Sequence, residues 1–315
     1  MPSDSPHASG HHRLNLSAGM LSVTIASLLV LAKLWALWRT GSLSVAATLA
    51  DSALDLLVSL GALVAIRYAA RPADEDHAFG HSSVEDLAAL GQSVFIAASA
   101  LAIGVSSALR LARPAPSALQ EQQAGIAVML LAIVLTLVLV IWQRRVARIT
   151  GSRVVAADSL HYLGDLIPAC GALVALWASR RFGAGWIDPV VALGAAALML
   201  GGALRIGKAA WDALMDRAAD PEVVAGIERI AGNYPGVHGY HDLRTRRAGS
   251  RIFVNLHIEV DGEQSLKAAH DIGAGLRQAL LRAYPQADVI LHKDPIGDPI
   301  VDPARGPEAG ARREP

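Results

Sequence analysis

The sequence predicts an α-helical membrane protein, six transmembrane helices followed by a small cytoplasmic α+β domain, and three observations carry that expectation. Of its 315 residues 53% are hydrophobic and only 18% charged, too apolar a balance for an ordinary soluble chain. Apolar segments of spanning length follow one another from Leu16 to Leu204. Beyond Asp220 the pattern changes to short helical and alternating stretches of soluble character. The predicted divisions are a disordered N-terminal tail over 1–15, a six-helix transmembrane domain over 16–215, a cytoplasmic domain over 220–297 and a disordered tail over 298–315.

Met1 to Leu14 is polar and carries His7, His11 and His12, the composition of a solvated tail. The predicted spans are Leu16 to Trp38, Leu43 to Tyr68, Val84 to Leu111, Gly125 to Trp142, Val154 to Trp177 and Ile187 to Leu204. The first is longer than a signal-peptide core and is expected to be retained. Trp35, Trp38, Trp142, Trp177 and Trp186 fall near segment ends, where an amphipathic ring prefers the headgroup level. Arg67, Arg71, Arg144, Arg145, Arg148, Arg153, Arg205, Lys208 and Arg217 fall on one side and outnumber Arg39, Arg110, Arg113, Arg180 and Arg181 on the other. The positive-inside rule makes the first side cytoplasmic, and an even number of spans places both termini there. Gly91, Gly104, Gly194, Gly201 and Gly202 are expected at close helix contacts. Asp188 before Pro189 reads as an N-cap and first-turn proline.

In the soluble part, Asp220, Pro221 and Glu222 open a helix in which Val223, Ile227 and Ile230 recur at helical spacing. Val237 to Arg246 is a candidate strand, and Ile252, Val254, Leu256, Ile258 and Val260 alternate with polar or aromatic residues in a half-buried one. Leu266, Ile272, Leu276 and Leu280 mark a second helix, and Val289 to His292 a closing strand. The order αββαβ gives a small sheet with a single layer of helices.

Chemistry concentrates in three groups. Asp51 and Asp55 lie one helical turn apart in an apolar run, and His161 and Asp165 repeat the device in another. An ionised carboxylate in hydrocarbon costs at least ~2.5 kcal/mol, so such residues need partners or a water-filled cavity. A divalent cation is the partner that fits, and a mixed oxygen and nitrogen set suits tetrahedral Zn²⁺ while also admitting Fe²⁺, Cd²⁺ or Co²⁺. The second group is Asp74, His77 and His81 in the loop string PADEDHAFGH, with both histidines spaced to share a helical face. The third is His241, His257, His292 and Asp294, with His270 as a further candidate. On a strand His292 and Asp294 project from one face, which the helices leave open, and Lys293 from the other.

Other classes are excluded. Net charge is zero with no long basic run, so nothing points to nucleic acid. Cys170 stands alone, which rules out an intrachain disulfide or a CxxC site. No HExxH and no GxxxxGK[ST] string occurs, so a zinc protease and an ATP-driven pump of the P-loop kind are not indicated. Gly164-Asp165 echoes part of the GxGD motif of intramembrane aspartyl proteases, but Tyr162 replaces its first glycine.

Taken together, Asp51xxxAsp55, Asp74xxHis77xxxHis81, His161xxxAsp165, HDLRTR at His241 to Arg246 and LHKDP at Leu291 to Pro295 resemble the cation diffusion facilitators, and among them the bacterial zinc and ferrous-iron efflux branch. The resemblance runs from about residue 16 to 297. It implies an inner-membrane homodimer of six-helix protomers that exchanges metal for protons on the second and fifth helices. It also implies a ferredoxin-like cytoplasmic domain that binds zinc near the dimer interface. Vacuolar and vesicular zinc members have a second His where this chain has Asp51, so Asp51 points to broader selectivity, with Fe²⁺ or Cd²⁺ admitted beside Zn²⁺. Ser82-Ser83 departs from relatives that carry a lysine there to lock the protomers together. The expected function is proton-coupled efflux of divalent metal by a secondary transporter and not an enzyme; the alternatives are a membrane-bound metal sensor and, ranked below it, an intramembrane aspartyl protease.

Overall fold

The protein is described from a computed structural model, which covers residues 6–40, 43–112, 123–182 and 187–297. Two compact units divide it: one spans Gly10–Leu214, and the other carries Met215 and the residues after it.

The first unit is made of α1 (Pro6–Thr40), α2 (Leu43–Ala69), α3 (Ser83–Ala112), α4 (Gln123–Thr150), α5 (Arg153–Phe182) and α6 (Ile187–Leu214). Among the described residues, five helices are long and apolar enough to cross a membrane. They lie in α1, α2, α3, α4 and α6. Leu31, Val64, Val94, Leu101, Val105, Val138, Ile141 and Leu198 face outward, as side chains do where lipid replaces water.

Helix α1 begins at Pro6, so His7, His11 and His12 are helical and not part of a disordered tail. Proline at the first helical position loses no hydrogen bond. Farther on, Leu14 packs against the cluster that contains Ala18, Ile66 and Val146, and the amide of buried Asn15 donates to Glu85 Oε1 at 3.4 Å. That packing carries the helix into the polar segment. Asp188 lies inside the first turn of α6 and not at its cap. The tail expected over 298–315 lies outside the described residues.

Side chains from several helices interlock in layers. Ala18, Ala62, Ile66, Val146 and Val155 form one, Ile25, Leu139 and Tyr162 the next, and Ile96, Ala100, Met199 and Ala203 a third. Of the glycines expected at close contacts, Gly202 meets Leu160 and Gly104 meets Ala196, whereas among the described residues Gly91, Gly194 and Gly201 meet nothing within 4 Å. A tighter approach is at Gly164, where a Cβ would collide with the Met199 side chain.

The second unit contains α7 (Pro221–Gly232), β1 (Gly239–Ala248), β2 (Arg251–Val260), α8 (Leu266–Ala283) and β3 (Ala287–Pro295), in the order β1-β2-β3 across the sheet. The tight β1–β2 connection makes that pair antiparallel, and the crossover through α8 makes β2 and β3 parallel. Ile252, Val254, Leu256, Ile258 and Val260 are buried beneath Ile227, Leu276 and Leu280. Asp220 precedes α7 without capping it; its carboxylate accepts from Arg247 at 2.8 Å instead. Ser265 caps α8 by accepting from the Ala268 amide.

Candidate functional site

Asp55 on α2 and His161 and Asp165 on α5 come together, with one ligand-type atom of each within 4.8 Å of the others. His161 Nε2 stands 3.1 Å from Asp55 Oδ1. The helical period explains the pairing on α5: His161 and Asp165 are one turn apart and face α2. His161 is buried, edge-on to Phe95 of α3 at 5.9 Å and beside Tyr162 at 5.4 Å between ring centroids. Asp51, the fourth expected member, is exposed one turn earlier on α2 and lies outside this trio. Lys33 of α1, which sequence reasoning missed, donates to buried Ser52 Oγ at 2.6 Å, and both Lys33 and Asp51 are within electrostatic reach of Asp165. A lone lysine in an apolar helix was the signal that could have found it.

The loop group is gathered differently from the expectation. His77 and His81 do not share a helix; they lie in turns between α2 and α3. Asp74 accepts from the His77 amide at 2.7 Å, an Asx-type turn, and Gly80 takes φ 82°, where a side chain would be strained. Asp74 Oδ1 and Oδ2 then stand 3.1 and 3.3 Å from His77 Nδ1 and His81 Nε2. His81 is buried edge-on against Tyr68 at 4.8 Å, while Asp74 and His77 are exposed. The amide hydrogen bond from His77 holds the Asp74 carboxyl below its usual range.

The sheet builds the third cluster by register. His241 faces His257 across the antiparallel pair, and His257 faces His292 across the parallel pair, so three imidazoles form one row. Ring centroids lie 5.0 and 4.7 Å apart. Asp294 reaches all three: its Oδ2 is 2.9 Å from His257 Nδ1 and 3.2 Å from His241 Nε2, and its Oδ1 is 3.1 Å from His292 Nε2. His241, His257 and Asp294 are the three whose ligand-type atoms lie within 4.8 Å of one another. A bulge between His241 and Arg244, with Asp242 at φ 48°, shifts the register just past the row. His270 stands apart, lining a groove with Arg277, Leu291 and Lys293. Lys293 projects toward α8, opposite to His292 and Asp294, which is why His270 does not join them.

Each cluster pairs carboxylate oxygen with imidazole nitrogen, a donor set that fits a borderline divalent cation better than Mg²⁺ or Cu⁺.

Fold and clusters define a class, a multi-pass membrane protein with ligand-type side chains inside its helical unit and a histidine row on its sheet. The chain belongs to the cation efflux family, the cation diffusion facilitators: the cation efflux transmembrane domain matches residues 19–215, and the cation efflux protein cytoplasmic domain matches 219–296. It is 44% identical over 285 residues to the cation-efflux pump FieF of Klebsiella pneumoniae subsp. pneumoniae, covering 90% of this chain and 93% of that one. It is 43% identical over 283 residues to FieF of Yersinia enterocolitica, with the same coverage. Among solved structures, the metal-bound C-terminal domain of the CzcD transporter from Thermotoga maritima is 33% identical and covers 24% of this chain and 91% of its own, with a TM-score of 0.24. The C-terminal domain of MamM is 27% identical, covering 24% of this chain and 95% of its own, with a TM-score of 0.23.

Proposed function

We propose that the protein exports divalent transition-metal cations from the cytoplasm in exchange for protons, with Zn²⁺ as the principal substrate and Fe²⁺ or Cd²⁺ also accepted. The observation that carries this reading is the meeting of Asp55, His161 and Asp165 from two helices of the membrane unit. Metal requires these carboxylates deprotonated and the imidazole neutral, so metal and protons compete for the same atoms. A site open to the cytoplasm takes metal and sheds protons; reopened to the other side, it takes protons and sheds metal. Asp51 completes the ligand set when α2 and α5 close on an ion. In this reading α5 is a sixth span whose polar half faces inward, both termini are cytoplasmic, and the protein is a homodimer of the bacterial inner membrane. The transport domain ends at about 215 and the cytoplasmic domain runs over 220–297, and the loop trio and histidine row bind further metal on the cytoplasmic side.

Purified protein in proteoliposomes tests the proposal, with an imposed proton gradient and fluorescent reporters of metal and pH inside. Wild-type protein should move Zn²⁺ against protons, and Asp55→Ala should abolish flux while the protein still inserts. His161→Asp should shift preference toward oxygen-seeking cations. Metal binding without flux in the wild type would favour a sensor, and near-normal flux in Asp55→Ala would sink the site.

A further inference from the structure

One turn before His161, on the same helix, Asp158 is 2% exposed and takes no part in the metal-ligand trio. Four helices meet on its carboxylate. Ser22 Oγ of α1 lies 2.7 Å from Asp158 Oδ2, and Gln143 Nε2 of α4 donates to the same oxygen at 2.5 Å. Ser22 Oγ is also 2.8 Å from Ser59 Oγ of α2, which is 2.8 Å from the hydroxyl of Tyr162 on α5. Ser22, Ser59, Gln143 and Tyr162 are all buried. Asp158 Oδ1 is buried and accepts no hydrogen bond from any described residue.

The hydroxyl chain can form with or without a proton on Asp158. When the carboxylate is ionised it only accepts, so Ser22 donates to it, Ser59 to Ser22 and Tyr162 to Ser59. When it is protonated on Oδ2 it donates to Ser22, and the hydroxyls reverse toward Tyr162. A proton on Oδ1 leaves the first arrangement unchanged and removes the charge from an oxygen with no donor. An anion with one unpartnered oxygen is costly here in the absence of a nearby positive charge. Such a charge arrives when a divalent ion enters the trio one turn away. Among the described residues, His161 and Tyr162 on its own helix interact electrostatically with Asp158, while α1, α2 and α4 bring uncharged Ser22, Ser59 and Gln143 to it.

We propose that Asp158 is a proton-carrying site separate from the metal ligands: it holds a proton while the trio is empty and gives it up when a divalent cation binds. The O–H bond of Asp158 breaks, its electron pair stays on the carboxylate, and the proton passes to water on the side to which the site is open. On metal exit the carboxylate takes a proton from water on the opposite side. This rests on the proton-exchange reading above and adds to it a proton that metal displaces through its field and not by taking the same atom.

The test counts protons released per Zn²⁺ bound by the full-length protein in nanodiscs, in weak buffer at several pH values. Asp158→Asn should release one proton fewer per transport site and show a shallower dependence of zinc affinity on pH, and Asp158→Glu should restore both. A purely structural role would alter affinity but not the proton count. If Asp158→Asn releases as many protons as the wild type, Asp158 is not the carrier and the exchange reading stands; if the wild type itself releases none, both fall. Should Asp158→Asn fail to fold, infrared difference spectra of the wild type on zinc addition decide. A protonated-carboxyl band should vanish, and Ser22→Ala should shift that band; no such band, or one that Ser22→Ala leaves in place, overturns the proposal.

Discussion

Asp294→Ala is the sharpest test of the histidine row. Three imidazole nitrogens lie 2.9 to 3.2 Å from its two oxygens, so this carboxylate both offers a negative ligand and braces its neighbours. The unit from Asp220 to Gly297 has its own core, in which Ile227, Leu256, Ile258, Leu276 and Leu280 are at most 1% exposed, and should fold as a fragment. Zinc at ~100 times its Kd, bound by the folded state alone, adds about 2.7 kcal/mol. For a domain of this size that is a rise in Tm of about 10–20 °C, at about 4–8 °C per kcal/mol. Loss of Asp294 should weaken binding about 10- to 100-fold, leaving about 0.4–1.4 kcal/mol at the same zinc concentration. The shift should then fall by about half or more. Calorimetry of both fragments, with zinc and with chelator, is the assay. A wild-type fragment indifferent to zinc would show the row to be polar surface, and a variant whose shift equals that of the wild type would remove Asp294 from the ligand set.

Three further outcomes are expected. Lys33→Met removes a basic side chain from the neighbourhood of Asp165 and should tighten Zn²⁺ binding on the order of tenfold, measured by titration in nanodiscs; weaker or unchanged binding would contradict a repulsive role. Leu276→Ala, at a fully buried position of α8, should lower the stability of the sheet unit by about 2–5 kcal/mol in urea unfolding; a loss under about 1 kcal/mol would contradict tight packing there. The Asp74 carboxyl is held below its ordinary value, so its contribution to the loop is present above about pH 3.9 and is lost only as pH falls through its lower folded value. An NMR titration of the Asp74 side chain checks this, and a midpoint above the ordinary value would refute it.

Local spacing made much of this architecture legible in advance. Asp55, His161 and Asp165 could be placed on inward helix faces because a helix repeats every turn, and the αββαβ order followed from where periodicity switched. What depends on neighbours was not legible. Nothing in the sequence says that Ser22, Ser59, Gln143 and Asp158 meet, since that requires knowing which four helices adjoin. The loop histidines misled because a spacing of four also arises in consecutive turns once Gly80 allows a positive φ. Glycine counts misled too: among the described residues Gly91, Gly194 and Gly201 meet no neighbour, while Gly164 of α5 packs directly against Met199 of α6.

The in-line row of His241, His257 and His292 has a consequence for synthesis. Its members come from all three strands, and the last strand carries both His292 and the Asp294 that ties the row together. A nascent chain therefore has no such cluster until nearly all of this unit has left the ribosome and β3 has docked beside β2. A message truncated shortly before Asp294 would yield membrane helices but no finished histidine row. The cluster is therefore complete only once β3 has been made and paired, and a one-residue slip of β3 would turn His292 to the helix side and dissolve it.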